Sequence, residues 1–161
     1  MNIYEFAMQK EAMSENYYRA LADKCGSPGL KTILRMLADE ERKHYNMVML
    51  MEKNGKPGEA ESTLLADARI VFVAMKTQRD NLSSSFDQID LYREAQLFEK
   101  ESEDYYREKA AEVKDNFQKK LFTKMAEQER KHYTLLENII ILLSRPEQWL
   151  EDAEWTHLEE Y

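Results

Sequence analysis

The sequence predicts an all-α protein built around a bundle of four long helices, and three observations support this fold class. Apolar residues recur at steps of three and four along most of the chain, as they do on one face of an α-helix. Only 4 Gly and 3 Pro interrupt the 161 residues, and the charged fraction of 34% is rich in Glu and Lys. Turn residues and candidate caps separate long helical segments. The composition has no internal break, so we expect a single domain over residues 1–161.

The first helical hairpin comes from two long segments. A helix is predicted at about Ile3–Cys25, and it ends at the turn Gly26-Ser27-Pro28-Gly29. A second helix follows at about Pro28–Asn54 and stops at Gly55-Lys56-Pro57-Gly58. Because the turn between them is short, the two helices are expected to be antiparallel neighbours within residues 3–54.

A long crossover, residues 55–88, leads to the second half of the chain. It is predicted to contain its own helix at about Leu64–Gln78 and a polar loop at Asn81–Ser85. The second hairpin, residues 89–144, has predicted helices at about Ile89–Val113 and Asn116–Ser144. A short C-terminal helix is expected over residues 146–159. Two short turns and one long middle connection are typical of a bundle with a single crossover.

The two hairpins are an internal repeat with a constant offset of 88 residues. Glu11 to Arg19 aligns with Glu99 to Arg107, and Ala38 to Tyr45 aligns with Ala126 to Tyr133, without a gap. In each half, polar residues of the same kind interrupt the middle of the apolar stripes. The first helix of each half carries one Glu and the second carries Glu-x-x-His. The six residues are Glu11, Glu41, His44, Glu99, Glu129 and His132.

These six residues predict a site for two metal ions. A buried carboxylate costs several kcal/mol unless it is compensated, and no Lys or Arg lies near them on the stripes. Two divalent cations balance four carboxylates when both imidazoles are neutral. Residues three apart share one side of a helix, so the Glu and His of each Glu-x-x-His are expected to hold one ion together. Glu11 and Glu99 are then expected to add one ligand each and to bridge the ions.

Oxygen-rich ligation with one imidazole per ion favours iron or manganese over structural zinc, which prefers thiolates. We expect two iron ions, with manganese or zinc as possible substitutes. A buried polar network without metal is the competing interpretation. The chain has 3 His, and two of them occupy matching positions of the repeat, which argues against coincidence.

These motifs carry a family resemblance. The chain resembles the rubrerythrin branch of the ferritin-like di-iron superfamily, through Glu11, Glu99 and the Glu-Arg-Lys-His motifs at residues 41–44 and 129–132. The resemblance implies a ferritin-like antiparallel bundle with two iron ions. It also implies that Tyr18 and Tyr106 donate hydrogen bonds to ligand carboxylates, which makes them candidate catalytic residues. Their alternative role is that of core tyrosines.

Departures from the family pattern bear on the chemistry. Rubrerythrins with full electron-transfer capacity carry a separate four-cysteine iron domain, which this sequence lacks, so electrons are expected from an external donor protein. In related proteins an acid before the ligand Glu orients an imidazole of the opposite half. Glu40 is such an acid, whereas Gln128 is not, so the sequence leaves this role open for Gln128. An additional Glu of some members is replaced here by Gln96.

Charge, cysteine count and hydropathy limit the partners. The formal net charge is −8 without a basic patch, which argues against nucleic acid. One cysteine excludes a disulfide within the chain. The longest apolar run, Ile139 to Leu143, is far shorter than a membrane span, and Met1 to Lys10 has no signal-peptide pattern. We therefore expect no membrane partner and a cytoplasmic location.

Several functions fit the predicted centre. Resemblance favours reduction of hydrogen peroxide at a di-iron centre, with dioxygen as the other possible oxidant. Iron oxidation for storage, as in ferritins, uses nearly the same ligands but requires a hollow shell of subunits. A metal-binding bundle without enzymatic activity and, with less support, a hydroxylase are further alternatives. We expect a homodimer, and the long crossover would allow two copies to exchange hairpins.

Overall fold

The computed structural model describes residues 1–58, 62–78, 82 and 88–145. These residues form five helices and, within the described ranges, no β-strand, which confirms the predicted all-α class. The helices are α1 (Ile3–Lys24), α2 (Pro28–Glu52), α3 (Leu64–Gln78), α4 (Ile89–Glu112) and α5 (Asn116–Ser144). The expected C-terminal helix at 146–159 and most of the expected loop at Asn81–Ser85 lie outside the described residues.

Side-chain caps explain why three of the long helices begin where they do. The Asn2 side chain accepts a hydrogen bond from the Glu5 N–H at 2.8 Å, and the Glu5 carboxylate accepts one from the Asn2 N–H in return. Ser27 Oγ accepts from the Leu30 N–H before α2, whose first turn contains a proline. The Asp115 carboxylate caps α5 in the same way. These short polar residues satisfy N–H groups that the helices themselves leave unbonded.

The end of α2 differs from the sequence-based expectation. The helix ends at Glu52 rather than at Asn54, because Asn54 adopts a left-handed backbone with φ 60°. This conformation lets the Gly55 N–H donate to the Leu50 carbonyl oxygen at 2.8 Å and close the last turn. α1 and α4 each end one residue earlier than expected, where the next residue becomes extended.

The hairpins pack as the repeat predicts, with α1 against α2 and α4 against α5, while α3 packs on α2. Two apolar clusters lie on either side of a polar layer. The larger cluster includes Leu34 of α2, Phe72 of α3 and Ile139 of α5. The smaller cluster includes Val48 of α2 and Phe122 of α5. Along both α2 and α5, the Glu-x-x-His motif falls between the residues of the two clusters, so the fold encloses these polar side chains between apolar walls.

Among the described residues, no helix is both long enough and apolar enough to span a membrane.

The attachment of the crossover helix can be tested at Phe72, whose side chain is 0% exposed. Replacing Phe72 with Ala should lower the free energy of unfolding by about 3–5 kcal/mol, because it leaves a cavity in the larger cluster. Urea unfolding followed by circular dichroism measures this loss. The matched control is Val73→Ala, since Val73 is 44% exposed and its truncation should cost at most about 0.5 kcal/mol. Equal losses in the two variants would contradict the packing described.

Candidate metal centre

The middle of the bundle brings together the six polar residues that interrupt the apolar stripes. Each of the four helices α1, α2, α4 and α5 contributes to this layer, and one chain supplies all six residues. No side chain of the set is more than 1% exposed. The set consists of Glu11, Glu41, His44, Glu99, Glu129 and His132.

The six residues form two overlapping groups that could each hold a metal ion, and within each group the candidate ligand atoms lie within 4.8 Å of one another. One group is Glu11, Glu41, His44 and Glu129; the other is Glu41, Glu99, Glu129 and His132. Glu41 and Glu129 belong to both groups. The sequence analysis assigned the bridging positions to Glu11 and Glu99, whereas here the two Glu-x-x-His carboxylates are the residues common to both groups.

The shared positions arise because each Glu-x-x-His carboxylate reaches the imidazole of the opposite half. Glu129 Oε1 lies 2.7 Å from His44 Nδ1, and Glu41 Oε1 lies 2.9 Å from His132 Nδ1. The two imidazole rings are nearly parallel, with centroids 5.8 Å apart and an interplanar angle of 15°. Both rings thus turn Nδ1 towards the carboxylates and Nε2 away from them.

Gln128 fixes the tautomer of one imidazole. His44 Nε2 lies 2.5 Å from Gln128 Oε1, and an amide oxygen can only accept, so Nε2 carries the hydrogen. Burial acts to lower the pKa of His44, but the charges and hydrogen bonds of Glu11 and Glu129 raise it overall. In the neutral imidazole, Nδ1 has the lone pair that a metal ligand needs. Gln128 comes from the opposite half of the chain, so an amide makes the contact with the imidazole that the sequence had left open.

The equivalent contact in the other half is different. Glu40 occupies the repeat position of Gln128, but its Oε1 accepts a hydrogen bond from Ser62 Oγ at 2.9 Å. His132 Nε2 is buried and has no hydrogen-bond partner among the described residues. The two imidazoles of the repeat are therefore held differently.

Two buried tyrosines donate hydrogen bonds to carboxylates of the layer. Tyr18 Oη of α1 donates to Glu99 Oε1 of α4, and Tyr106 Oη of α4 donates to Glu11 Oε1 of α1. Burial and the nearby carboxylates raise the pKa of both phenols well above its ordinary value. Both phenols therefore keep their protons and act as donors.

The unsatisfied atoms of the layer test whether these residues fit metal ions. Among the described residues, one buried oxygen of each carboxylate has no hydrogen-bond partner, and neither has His44 Nδ1. Leaving such a buried acceptor unpaired costs about 1–3 kcal/mol, more for a charged group. Several unpaired acceptors at one level, with imidazole nitrogen beside carboxylate oxygen, are the donor set that divalent iron, manganese or zinc binds. The residues fit a pair of metal ions.

The electrostatics of the layer show why its four carboxylates cannot all be ionised in the absence of metal. Burial and neighbouring carboxylates raise the pKa of Glu41 and Glu129 well above its usual value, so without metal these two keep protons. Burial acts to raise the pKa of Glu11 as well, but the bond with Glu41 and the charge of His44 lower it overall. A metal ion must therefore displace protons from the two shared carboxylates, and its affinity should fall on acidification.

Sequence reasoning missed two buried carboxylates beside the layer, Glu15 and its repeat counterpart Glu103, each 6% exposed. Glu15 is only 6% exposed, and its two oxygens lie 2.7 Å from Arg19 Nη2 and Arg42 Nη2 respectively. Burial acts to raise the pKa of Glu15, but the hydrogen bonds from these arginines lower it overall. The signal was present in the sequence, since Glu15 lies one turn after Glu11 with an arginine at i+4, and Glu103 repeats the arrangement.

Comparison with protein families identifies this centre. The family model described as Rubrerythrin matches residues 2–140. The chain belongs to the rubrerythrin family. This confirms the resemblance and the ferritin-like helical fold. It is a family of di-iron proteins, and the buried layer holds the carboxylate and imidazole groups that could bind metal. Searches of the curated proteins and of the solved structures found no match.

The two overlapping ligand groups predict two metal ions per chain of this rubrerythrin. Metal analysis of protein reconstituted with ferrous iron under anaerobic conditions should give about two equivalents, as in two-metal sites generally. The control is the double variant Glu41→Ala and Glu129→Ala, which removes both shared carboxylates and should bind neither ion tightly. Less than half an equivalent in the unmutated protein would refute the assignment.

Metal binding should also raise the free energy of unfolding. Bonds from the carboxylates to the ions replace the repulsion between these carboxylates and the protons that two of them keep without metal. At a free metal concentration about 100-fold above the dissociation constant, one site adds about 2.7 kcal/mol. For a chain of this size that corresponds to a rise of about 5–10 °C in Tm. Scanning calorimetry before and after chelation measures the shift, and the double variant should show none. Identical curves at confirmed metal occupancy would be inconsistent with a metal centre in the core.

Proposed function

We propose that the protein reduces hydrogen peroxide to water at a di-iron centre, with electrons from an external donor protein. The observation that supports this proposal is the sharing of Glu41 and Glu129 by the two ligand groups. Glu41 and Glu129 would each contribute to holding both ions, and a pair of ions held by common ligands could supply two-electron chemistry to one small oxidant. When bound, a pair of ferrous ions supplies the two electrons.

Peroxide reduction consumes two electrons and two protons and yields two water molecules. The chain contributes an enclosed site for this reaction, since apolar clusters lie on both sides of the polar layer. Tyr106 packs face to face with Phe122, with ring centroids 5.9 Å apart, and covers the layer on one side. Exclusion of water strengthens the interactions inside such a site and limits side reactions.

The two buried tyrosines are assigned as positioning residues of the reaction. Each phenol keeps a proton on its oxygen and donates it in a hydrogen bond to a carboxylate that belongs to only one ligand group. Tyr18 holds Glu99 and Tyr106 holds Glu11, so the terminal carboxylates are restrained from two different helices. These phenols are also the O–H groups nearest to the unshared ligands, where protons are needed during reduction.

An external electron donor follows from the composition. The sequence has one cysteine, Cys25, which is buried and 4% exposed, so its own residues cannot build a four-cysteine iron site. Repeated reduction of peroxide would require two electrons from outside the centre for each molecule reduced. We therefore infer a separate redox protein as partner.

The choice of oxidant tests the proposal. Anaerobic di-ferrous protein is mixed in a stopped-flow instrument with hydrogen peroxide or with dioxygen, and the ferric absorption is followed. Peroxide should react faster, because one di-ferrous pair completes its reduction whereas dioxygen needs four electrons. Reaction about tenfold faster with dioxygen would replace the peroxidase assignment with ferroxidase activity. Replacing His44 and His132 with Ala should abolish both reactions, since each ligand group loses its only nitrogen.

Matched tyrosine variants provide the control for the positioning role. The double variant Tyr18→Phe and Tyr106→Phe removes both donors and should slow the peroxide reaction at least about tenfold. The comparison is Tyr17→Phe with Tyr105→Phe, because these neighbouring phenols bond backbone carbonyl oxygens instead. Equal rates in the two double variants would exclude a specific role for Tyr18 and Tyr106.

A further inference from the structure

Each half of the repeat carries two adjacent tyrosines that lead from the side of the bundle to the metal layer. Tyr17 and Tyr18 form one pair on α1, and Tyr105 and Tyr106 form the other on α4. The rings of each pair meet edge to face, with centroids 6.4 Å apart in the first pair and 5.8 Å in the second. The inner phenol is buried and bonds a carboxylate of the layer, whereas the outer phenol is half-buried. Each half therefore has an aromatic contact from a half-buried phenol to the metal layer.

The two outer phenols differ in their hydrogen-bond acceptors. Tyr17 Oη donates to the Leu91 carbonyl oxygen at 2.7 Å, and Glu94 Oε2 lies within 3.3 Å of the same hydroxyl. Tyr105 Oη donates to the Ile3 carbonyl oxygen at 2.8 Å and, among the described residues, to no carboxylate. Glu94 is exposed, so a proton that reaches its carboxylate can pass to solvent.

A carboxylate beside a phenol matters when the phenol loses an electron. The O–H group then becomes strongly acidic, and a base within hydrogen-bond reach can take its proton. A backbone carbonyl oxygen accepts a hydrogen bond but is not basic enough to keep a proton near neutral pH. Burial and the charge of Glu94 raise the pKa of Tyr17 to about 12, so this phenol holds its proton until an electron leaves. Tyr17 thus has what an electron-donating phenol requires, whereas Tyr105 lacks the base.

We propose that Tyr17 supplies an electron to the metal layer through Tyr18 when the ions hold only one of the two electrons that peroxide takes. Peroxide then receives one electron from a ferrous ion and one from Tyr17, and with two protons from solvent its O–O bond breaks to give two water molecules. The ion is left ferric and Tyr17 is left as a phenoxyl radical. The phenol proton of Tyr17 moves to Glu94, and Tyr18 ends the step unchanged.

This step moves an oxidising equivalent from the buried ligands to a ring near the surface. The Tyr17 ring is held edge to face against Phe98, with centroids 5.2 Å apart, and it remains half-buried. A reductant in solution can therefore return the electron without entering the core. The inference rests on the proposed function, because the electron is needed only if peroxide is reduced at the centre. A di-ferrous pair already holds both electrons, so the step plays no part in the reaction of the di-ferrous protein.

The test uses the full-length protein with two iron ions per chain, reduced anaerobically by one electron per centre. It is mixed with one equivalent of hydrogen peroxide without an electron donor and frozen at successive times. Electron paramagnetic resonance should detect a tyrosine phenoxyl radical. Tyr17→Phe should abolish this radical, because it removes the group that gives up the electron. The matched control Tyr105→Phe should leave the radical unchanged, since Tyr105 has no carboxylate to take its proton.

A second pair of variants tests the proton acceptor. Glu94→Gln should slow formation of the radical at least about tenfold, because an amide cannot take the proton. Glu101→Gln makes the same change on α4 at a carboxylate that pairs with Lys10 at 3.7 Å, and it should leave the rate unchanged. Circular dichroism spectra identical to that of the unmutated protein establish that the variants are folded.

The outcomes separate this inference from the proposed function. If peroxide fails to oxidise the di-ferrous protein, the proposed function and the inference are both refuted. If that reaction occurs but the one-electron-reduced protein consumes peroxide without forming a radical, the inference alone is refuted. A radical of equal yield in Tyr17→Phe, or one lost equally in Tyr105→Phe, also overturns it. Equal rates in Glu94→Gln and Glu101→Gln would show that Glu94 does not receive the proton.

Discussion

Four carboxylates buried at one level of a helical bundle are the constraint on which the rest of this structure depends. Charges a few ångströms apart in a medium of low dielectric constant cannot all remain ionised without compensation. The metal-free chain meets this constraint by keeping protons on Glu41 and Glu129, whose pKa is raised. Two divalent cations meet it without protons, and unpaired oxygens of the layer are available to them. The tyrosines and the apolar clusters then serve to hold and enclose this arrangement.

The repeat makes the two halves similar, but the crossover makes them unequal. Ser62, just before α3, donates a hydrogen bond to the Glu40 carboxylate. By analogy with Gln128 in the other half, Glu40 would otherwise be expected to contact His132. The side-chain oxygen of Gln128 instead forms its hydrogen bond with His44 Nε2. A connection that occurs once in the chain can touch only one side of a pseudosymmetric centre. The same connection forms part of the wall of a cavity that Gln128 also lines.

Much of the fold and of the site could be predicted from particular residues. Leu34, Glu41, His44 and Val48 lie at helical steps of three and four, and all four side chains are buried. A stripe of this kind predicts which residues enter the core, and a Glu with a His three residues later within it indicates that the core must compensate a buried polar pair. Glu15 was missed because it lies beside the stripe, and its contact with Arg42 of α2, which adds to that with Arg19 of its own helix, crosses between helices.

The sequence by itself determined the helices, the repeat and the types of ligand, because caps, breakers and periodicity are local properties of the chain. Only the tertiary structure decided that Glu41 and Glu129 occupy the shared positions, that both imidazoles turn Nδ1 inward, and that Gln128 holds His44. These features depend on how far each helix is rotated and shifted against its neighbours. Periodicity along one helix carries no information on that relative placement, which packing across the whole bundle sets.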